Sequence, residues 1–245
     1  MARSSADPTG DLGFRPVKRA LVIEHDEHGP AEGVGDHLVE RGYQLDVFRV
    51  MDDPADPVCT KPYPDATGYD ALVVTGSAWS VTDTDSIGSW IGREIEMVRT
   101  AHDAGVPVLG LCFGGQVLSA ALGGEVGRVD PPEFGWYEVD TDLPDAVAPG
   151  PWFEWHYDGF TVPDGAIETA RTAVSPQAFR IGQSVGTQFH PEITPRLVRL
   201  WIGMGERALR AHGVDPTVMA ARTVDEAENN RARSDALVDW FLNGA

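Results

Sequence analysis

Cys112 stands in the stretch Val106–Gln116, V-P-V-L-G-L-C-F-G-G-Q. A short apolar run (Val106, Val108, Leu109, Leu111) ends at the cysteine, and an apolar stretch, Val117 to Leu122, follows two glycines. A run this short, introduced by Pro107 and closed by glycines, suits a buried strand of a parallel sheet. Gly114–Gly115 is expected to supply the backbone freedom for a sharp turn into a helix. A cysteine on that turn is lifted out at the carboxyl edge of the sheet. The unsatisfied N–H groups of the helix start then favour its thiolate. This is the cysteine form of a nucleophile elbow, and Cys112 is the candidate nucleophile.

A thiol nucleophile needs a base and a group that orients the base. Val185–Glu192 reads V-G-T-Q-F-H-P-E. A strand over Ser184–Phe189 ends at His190, and Pro191 blocks further ladder pairing. His190 and Glu192 supply both functions in one turn, provided that turn comes near Cys112. A lone histidine at a strand end is more often structural; a cysteine elbow in the same chain tips the balance toward catalysis. The cluster Glu24–His28, E-H-D-E-H, invites a metal. No second ligand cluster at fixed spacing supports one, so a solvated loop is the plainer reading and no metal is expected. Cys59 lies outside any elbow pattern and reads as a bystander.

The elements that must position these residues follow from periodicity. Lys18–Glu24 reads as a buried strand, about Gly33–Arg41 as a short helix and Gln44–Val50 as a strand. The Pro/Asp-rich Met51–Gly68 is a surface connection. Tyr69–Thr75 is a further buried strand that runs into Gly76–Ser77. An amphipathic helix over about Ile87–Ala104 carries Ile87, Ile91, Ile95 and Val98 on one face and stops at Gly105. This alternation predicts a doubly wound sheet with helices on both faces, whose reactive crevice lies beyond the carboxyl ends of the strands. Gly76 and Cys112 both sit at such ends. Beyond Leu122, the segments Gly124–Val129, Gly135–Asp140, Ile167–Val174, Ala178–Ile181 and Ser184–Phe189 favour hairpins. Helices return over Pro195–His212, Pro216–Asn229 and Arg231–Leu242. With no boundary linker, residues 17–245 read as one domain, behind a polar lead-in, residues 1–16, expected to be disordered.

The chain has 245 residues, 42% of them hydrophobic and 23% charged, enough for a sizeable core. A formal net charge of −19 opposes nucleic-acid backbones and anionic membranes, so neither is an expected partner. Two cysteines make a disulfide framework improbable and point to the reducing cytoplasm. No apolar run approaches the roughly 18 residues of a membrane span, and the N-terminus lacks a signal-peptide core.

G-L-C-F-G-G-Q followed by Q-F-H-P-E resembles the class I (triad-type) glutamine amidotransferases over about Lys18 to Trp201. Within them, the chain looks most like stand-alone proteins similar to the glutaminase domain of GMP synthase. The resemblance implies a flavodoxin-like, three-layer α/β/α fold with a central mostly parallel twisted sheet and a small antiparallel extension. It implies that Cys112 attacks a γ-amide to form a γ-glutamyl thioester, that His190 moves the protons and that Glu192 orients His190. It places the oxyanion donors on Phe113 and on Gly76–Ser77, where Ser77 replaces the second glycine of the family's Gly-Gly and Ala78 the proline after it. Gln116 falls where the family holds the substrate's α-amino end. Trp155-His156-Tyr157-Asp158 matches a segment, commonly Ser-His-Gly-Asp, that receives the α-amino and α-carboxylate groups. Trp155 there replaces a small polar residue and Tyr157 the glycine, reshaping the pocket. His156 either holds the loop or meets the substrate. The aromatic group Trp152, Phe153, Trp155, Tyr157 and Phe160 is core or the wall of an enlarged site. No cofactor is implied, because the chain supplies attack, proton transfer and oxyanion stabilisation.

Three functions remain open on these residues. The first is a glutaminase that passes ammonia to a separate synthetase partner. The second is a self-sufficient hydrolase of γ-glutamyl conjugates. The third is a catalytically silent binding or regulatory module. Stimulation by a partner, turnover of γ-glutamyl amides against glutamine, and thiol labelling by a glutamine-like electrophile separate them.

Overall fold

In the computed structural model, which describes residues 17–244, the short apolar runs become the parallel half of a nine-stranded sheet. The lead-in 1–16 lies outside the described residues. The first half of the chain forms β1 (Lys18–Glu24), α1 (Glu32–Glu40), β2 (Tyr43–Arg49), β3 (Ala71–Val74), α2 (Thr84–Ile87), α3 (Ile91–Asp103), β4 (Val108–Leu111) and α4 (Phe113–Ala121). The second half forms β5 (Val126–Thr141), β6 (Gly150–Phe160), β7 (Ile167–Arg171), β8 (Pro176–Ile181), β9 (Ser184–Thr187), α5 (Pro195–Ala211) and α6 (Pro216–Leu242). The sheet order is β2-β1-β3-β4-β9-β8-β7-β5-β6. The first five strands are mutually parallel, and from β9 onward every pairing is antiparallel.

Successive strand residues point to opposite faces, and each face meets helices. Val22, Val73, Leu109 and Val185 pack with Val34 and Leu38 of α1 and with Val238 and Phe241 of α6. Ile23, Leu72, Val74 and Val108 pack with Val98 of α3 and with Val117 and Leu118 of α4. Burial on both faces explains why these strands read as unbroken apolar runs. The three-layer expectation holds. No helix among the described residues is long and apolar enough to cross a membrane.

Several local expectations differ from the structure. The helix expected over Ile87–Ala104 begins only at Ile91, behind a separate short helix, α2, that ends at Ile87. Trp90 adopts φ −140° between them, buries its ring and donates from Nε1 to the Pro57 carbonyl at 2.8 Å. The periodicity survives because Ile87 and Ile91 both reach the core across the break. The two helices expected over Pro216–Asn229 and Arg231–Leu242 are the single helix α6. Asn230, a poor helix former, is retained inside it because its side chain donates to the carbonyls of Pro191 and Ile193. The antiparallel part is not small: it includes β5 and β6, the longest strands of the sheet. Pro131 and Pro132 read as strand breakers, but β5 runs through them with a register shift between Arg128 and Glu133. The strand β6 was not evident from sequence, because Trp152 and Phe153 are both buried, on opposite faces, and erase the alternation. Trp152 stacks on Phe189, while Phe153 meets Trp136 edge-on.

Gly114 and Gly115 also act differently from expectation, because neither takes a positive φ. They are positions of close approach. A Cβ on Gly114 would lie 2.0 Å from the Val74 carbonyl oxygen, and one on Gly115 would lie 2.4 Å from that of Thr187. Helix α4 thereby sits directly on β3 and β9. Gly114→Ala is expected to destabilise the fold by more than ~3 kcal/mol, since the obstacle is backbone that cannot swing aside. Gly203→Ala, at an exposed site inside α5 with open space around it, is expected to stabilise by about 0.5–1 kcal/mol. Thermal unfolding followed by circular dichroism checks both signs.

Candidate active site

The carboxyl ends of four neighbouring parallel strands meet at one edge. They deliver His25 from β1, Gly76 from β3, Cys112 from β4 and His190 from β9. This is the crevice that a doubly wound sheet leaves beyond its strand ends.

Cys112 holds φ 51° and ψ −104°, a conformation that a side chain makes costly and that clusters at functional sites. It is over-determined by its neighbours. Its N–H donates to the Thr187 carbonyl at 2.8 Å, and its carbonyl accepts from Gln116 N at 3.0 Å. The thiol is buried. Its sulfur lies 3.5 Å from Gln188 Nε2, which donates to it, and 4.0 Å from the Trp155 carbonyl. Phe113 opens α4, so its N–H belongs to the first turn, whose amides have no acceptor within the helix.

His190 follows the end of β9, and its N–H donates to the Phe153 carbonyl at 2.9 Å. Its Nδ1 lies 2.7 Å from Glu192 Oε1, and both side chains are buried. The Glu192 carbonyl accepts from Gly33 N at 3.1 Å, tying the turn to α1. His190 Nε2 is buried without a hydrogen-bond partner. Burial works against the imidazolium, but the Cys112 sulfur and the Glu192 carboxylate outweigh it and raise the pKa well above the ordinary histidine value. Trp201 of α5 closes over the imidazole edge-to-face at 4.8 Å, and its indole donates to the His28 carbonyl at 2.7 Å.

Gly76 and Ser77 line the same cavity as Cys112 and Phe113. A Cβ on Gly76 would come within 3.3 Å of His190 Cε1, so a glycine lets the imidazole approach. The cavity has a volume of about 600 Å³ and extends outward past Trp155, Tyr157 and Met204. Gln116 lines it, but its amide nitrogen is engaged by the Asp158 carbonyl at 2.9 Å and by Gln188 Oε1 at 3.3 Å. Trp155 turns its ring toward Phe134, Phe153 and Trp201. Tyr157 is partly exposed and lies beneath the Arg128 guanidinium.

His156 lines the cavity and is almost wholly buried. Its Nε2 lies 3.1 Å from Glu133 and 3.3 Å from Glu154, and its Nδ1 lies 3.0 Å from the Asp158 carbonyl. Both nitrogens face acceptors, so the ring carries both protons. Burial opposes that charge, yet Glu133 and Glu154 push its pKa up to about 10. Burial also raises Glu154 to about 7, against the pull of His156.

The solvated-loop reading of Glu24–His28 fails at His25, which is completely buried beneath the cavity. Its neighbours are spoken for, since Glu24 pairs with Arg49 and Asp26 accepts from His28 N. His25, Gln188 and Trp201 were given no part in the site on sequence grounds. For His25 a signal was present: it follows a parallel strand directly, as Cys112 does. Elsewhere, His37, Glu40 and Asp235 come together on α1 and α6. They lie away from the cavity, and Arg41 and Arg231 already pair with the carboxylates.

Residues 31–199 match the family model described as "Glutamine amidotransferase class-I". Among curated proteins, the chain is similar to the GMP synthase [glutamine-hydrolyzing] of Aeropyrum pernix, 38% identical over 138 residues. That match covers 52% of this chain and 27% of the relative. It is also similar to the protein of the same name from Xanthomonas axonopodis pv. citri, 34% identical over 60% of this chain and 30% of the relative. The matches thus span about a third or less of these relatives' length. Among solved structures, a glutamine amidotransferase from Thermotoga maritima superposes with a TM-score of 0.80 at 22% identity, covering 93% of this chain and 99% of that one. One from Methylobacillus flagellatus gives a TM-score of 0.81 at 24% identity, covering 93% and 95%. These two likenesses establish the fold.

The His156 cluster makes stability depend on pH with a definite sign. A histidine whose folded pKa is raised stabilises fully below its unfolded value near 6.5, and loses that contribution as pH rises through the folded value near 10. Glu154 acts in the same direction but is spent by about pH 7. Between pH 7.5 and 10 the melting temperature should therefore fall further in the native chain than in His156→Gln, by several degrees. At about 2–4 °C per kcal/mol for a chain of this size, scanning calorimetry of the two proteins resolves that difference.

Proposed function

The chain belongs to the class-I glutamine amidotransferases, and from that premise we propose that it hydrolyses the γ-amide of glutamine or of a γ-glutamyl amide through a thioester on Cys112. What carries this reading is the convergence of the strained Cys112 turn with His190, whose Nδ1 is fixed by Glu192 and whose Nε2 is left free.

The chemistry follows from those positions. The proton of the thiol passes to His190, giving a thiolate facing an imidazolium, a pair that the raised pKa of His190 favours. The sulfur attacks the γ-carbonyl carbon, and the carbonyl electron pair moves onto oxygen. The N–H groups of Phe113 and Ser77 are the donors assigned to that oxyanion. When the oxyanion collapses, the C–N bond breaks and His190 gives its proton to the departing nitrogen. Ammonia or an amine leaves, and a γ-glutamyl thioester remains on Cys112. Water then attacks the thioester while His190 takes its proton, and the C–S bond breaks to release glutamate. Glu192 keeps the imidazole in one orientation throughout. The imidazole lies under Trp201, away from bulk water, which strengthens each of these electrostatic contacts. No metal or organic cofactor enters this scheme. A cytoplasmic setting and a separate synthetase that receives the ammonia belong to the same reading.

A second reading, a hydrolase acting on γ-glutamyl conjugates, is favoured by the size of the cavity. At about 600 Å³ it lies within the range of roughly 300–1,000 Å³ that accommodates drug-sized ligands. Phe134, Tyr157, Met204 and Leu209 give it an apolar wall suited to a bulkier leaving amine.

Cys112→Ser and His190→Ala should each lower turnover by at least ~10²-fold, and Glu192→Gln should retain more activity than either. Release of ammonia or amine from glutamine and from a panel of γ-glutamyl amides measures this. Wild-type rates in Cys112→Ser would end the proposal. Turnover of glutamine equal to or better than that of every conjugate would end the second reading.

A further inference from the structure

A buried histidine that the catalytic scheme does not use lies directly behind the oxyanion strand. His25 Nδ1 lies 2.9 Å from the Gly76 carbonyl oxygen, and its Nε2 lies 2.9 Å from Glu94 Oε1. The second oxygen of Glu94 accepts from the Tyr63 hydroxyl at 2.8 Å. His25 and Glu94 are fully buried, and the imidazole is packed between Trp90 and Phe113. A carbonyl can only accept, so Nδ1 carries a proton and donates it to Gly76. Nε2 donates to the Glu94 carboxylate. Burial alone would lower the pKa of this ring, but Glu94 and the Gly76 carbonyl more than compensate and raise it.

The peptide on which His25 acts is one that needs fixing. Glycine rotates its flanking peptides at little cost, so a Gly76–Ser77 peptide left to itself has two orientations available. In a trans peptide the C=O and N–H point in opposite directions. With its carbonyl turned into the interior toward His25, the Ser77 N–H faces the other way, where Ser77 and Cys112 line the cavity. The reversed orientation would aim a carbonyl oxygen at the forming oxyanion and replace attraction by repulsion. Gly29 closes against the same carbonyl, since a Cβ there would lie 3.0 Å from the Gly76 oxygen. Thr75 Oγ1 in turn donates to the Gly29 carbonyl at 2.8 Å.

We propose that His25, held by Glu94 and Tyr63, is a positioning residue that locks the Gly76–Ser77 peptide with its N–H toward the reacting carbonyl, so that the oxyanion hole is formed before substrate binds. This rests on the reading of Gly76–Ser77 as an oxyanion donor in Cys112-dependent amide hydrolysis. It separates γ-carbonyl chemistry from simple thiol reactivity. Loss of the lock slows only reactions that pass through a tetrahedral oxyanion.

The test compares His25→Leu, which lacks a donor, with His25→Asn, whose amide nitrogen can occupy the place of Nδ1. Two rates are read in each protein: turnover of the best wild-type γ-glutamyl amide, and alkylation of Cys112 by iodoacetamide, a direct displacement at carbon with no oxyanion. His25→Leu should lose 10- to 100-fold in kcat with KM changed less than threefold and the alkylation rate within twofold of wild type. His25→Asn should recover most of kcat. If His25→Leu fails to fold, Glu94→Gln, which leaves the imidazole in place and weakens its hold, should show a 3- to 10-fold loss in kcat with the same split. A kcat within threefold of wild type in His25→Leu, or within twofold in Glu94→Gln where that variant stands in, overturns the proposal. So does alkylation that falls in step with kcat, or an Asn variant no better than Leu. In those cases Cys112-dependent turnover by the wild type still leaves the hydrolase reading standing. Wild-type protein with no such turnover overturns both.

Discussion

The pairing of β4 with β9 is the constraint on which the site depends. Leu111 is in register with Thr187, and the Thr187 carbonyl then accepts from the backbone of Cys112 itself. That one bond helps hold the cysteine in its strained turn. It also sets the next residues of β9 beside the thiol, so that Gln188 reaches the sulfur and His190 emerges at the same edge. A slip of one residue along the ladder would turn each side chain to the opposite face and send His190 away from Cys112. The close seats of Gly114 on β3 and Gly115 on β9 let α4 descend directly onto the sheet at this edge, because no side chain intervenes.

Three histidines make buried contacts with carboxylates around this edge: His25 with Glu94, His156 with Glu133 and Glu154, and His190 with Glu192. Removing charged groups from water is expensive, and paired charges only partly offset the loss. Their cost makes sense as geometry rather than stability. Each carboxylate holds one ring nitrogen and so sets where the other points. For His190 the other nitrogen is left unpartnered, as the proposed proton transfer requires. For His25 and His156 it is satisfied by a backbone carbonyl, Gly76 in one case and Asp158 in the other. The same pair of side chains thus leaves a nitrogen spare at His190 and grips a backbone carbonyl at His25 and His156.

The parallel half of the fold was legible in the sequence because strands buried on both faces leave a plain signal, a short apolar run punctuated by Gly or Pro. Cys112 and His190 inherit that legibility, standing directly after such runs. The antiparallel half was not. In β6, Trp152 and Phe153 are buried on opposite sides and mask the alternation, and in β5 paired prolines imitate a strand end. His25 was obscured for another reason: its flanking acids and histidine suggest solvent, and only the packing of α3, which brings Glu94 beneath β1, reveals it as interior. Burial of a polar residue by a distant element leaves no local trace in sequence. The role of Asn230 inside α6, as a donor to the loop that follows His190, was hidden in the same way.

The two halves of the sheet therefore divide the labour. The parallel strands and α4 hold the Cys112 sulfur, the His190 imidazole and the Gly76–Ser77 peptide, all on backbone that is tightly constrained. The antiparallel strands and α5 form the wall across from them, through Phe134, Trp155, Tyr157 and Trp201. The wall meets Cys112 and His190 through the Trp155 carbonyl near the sulfur, the Phe153 carbonyl on the His190 N–H and the Trp201 ring over the imidazole. Trp155 and Tyr157, where the family resemblance leads one to expect small residues, fall on this side. Their bulk is absorbed by Gly205, where a Cβ would lie 2.8 Å from the Trp155 ring, and by the open face where Arg128 covers Tyr157. Both side chains thus line the cavity from the wall, while Cys112 and His190 stand at the strand ends opposite.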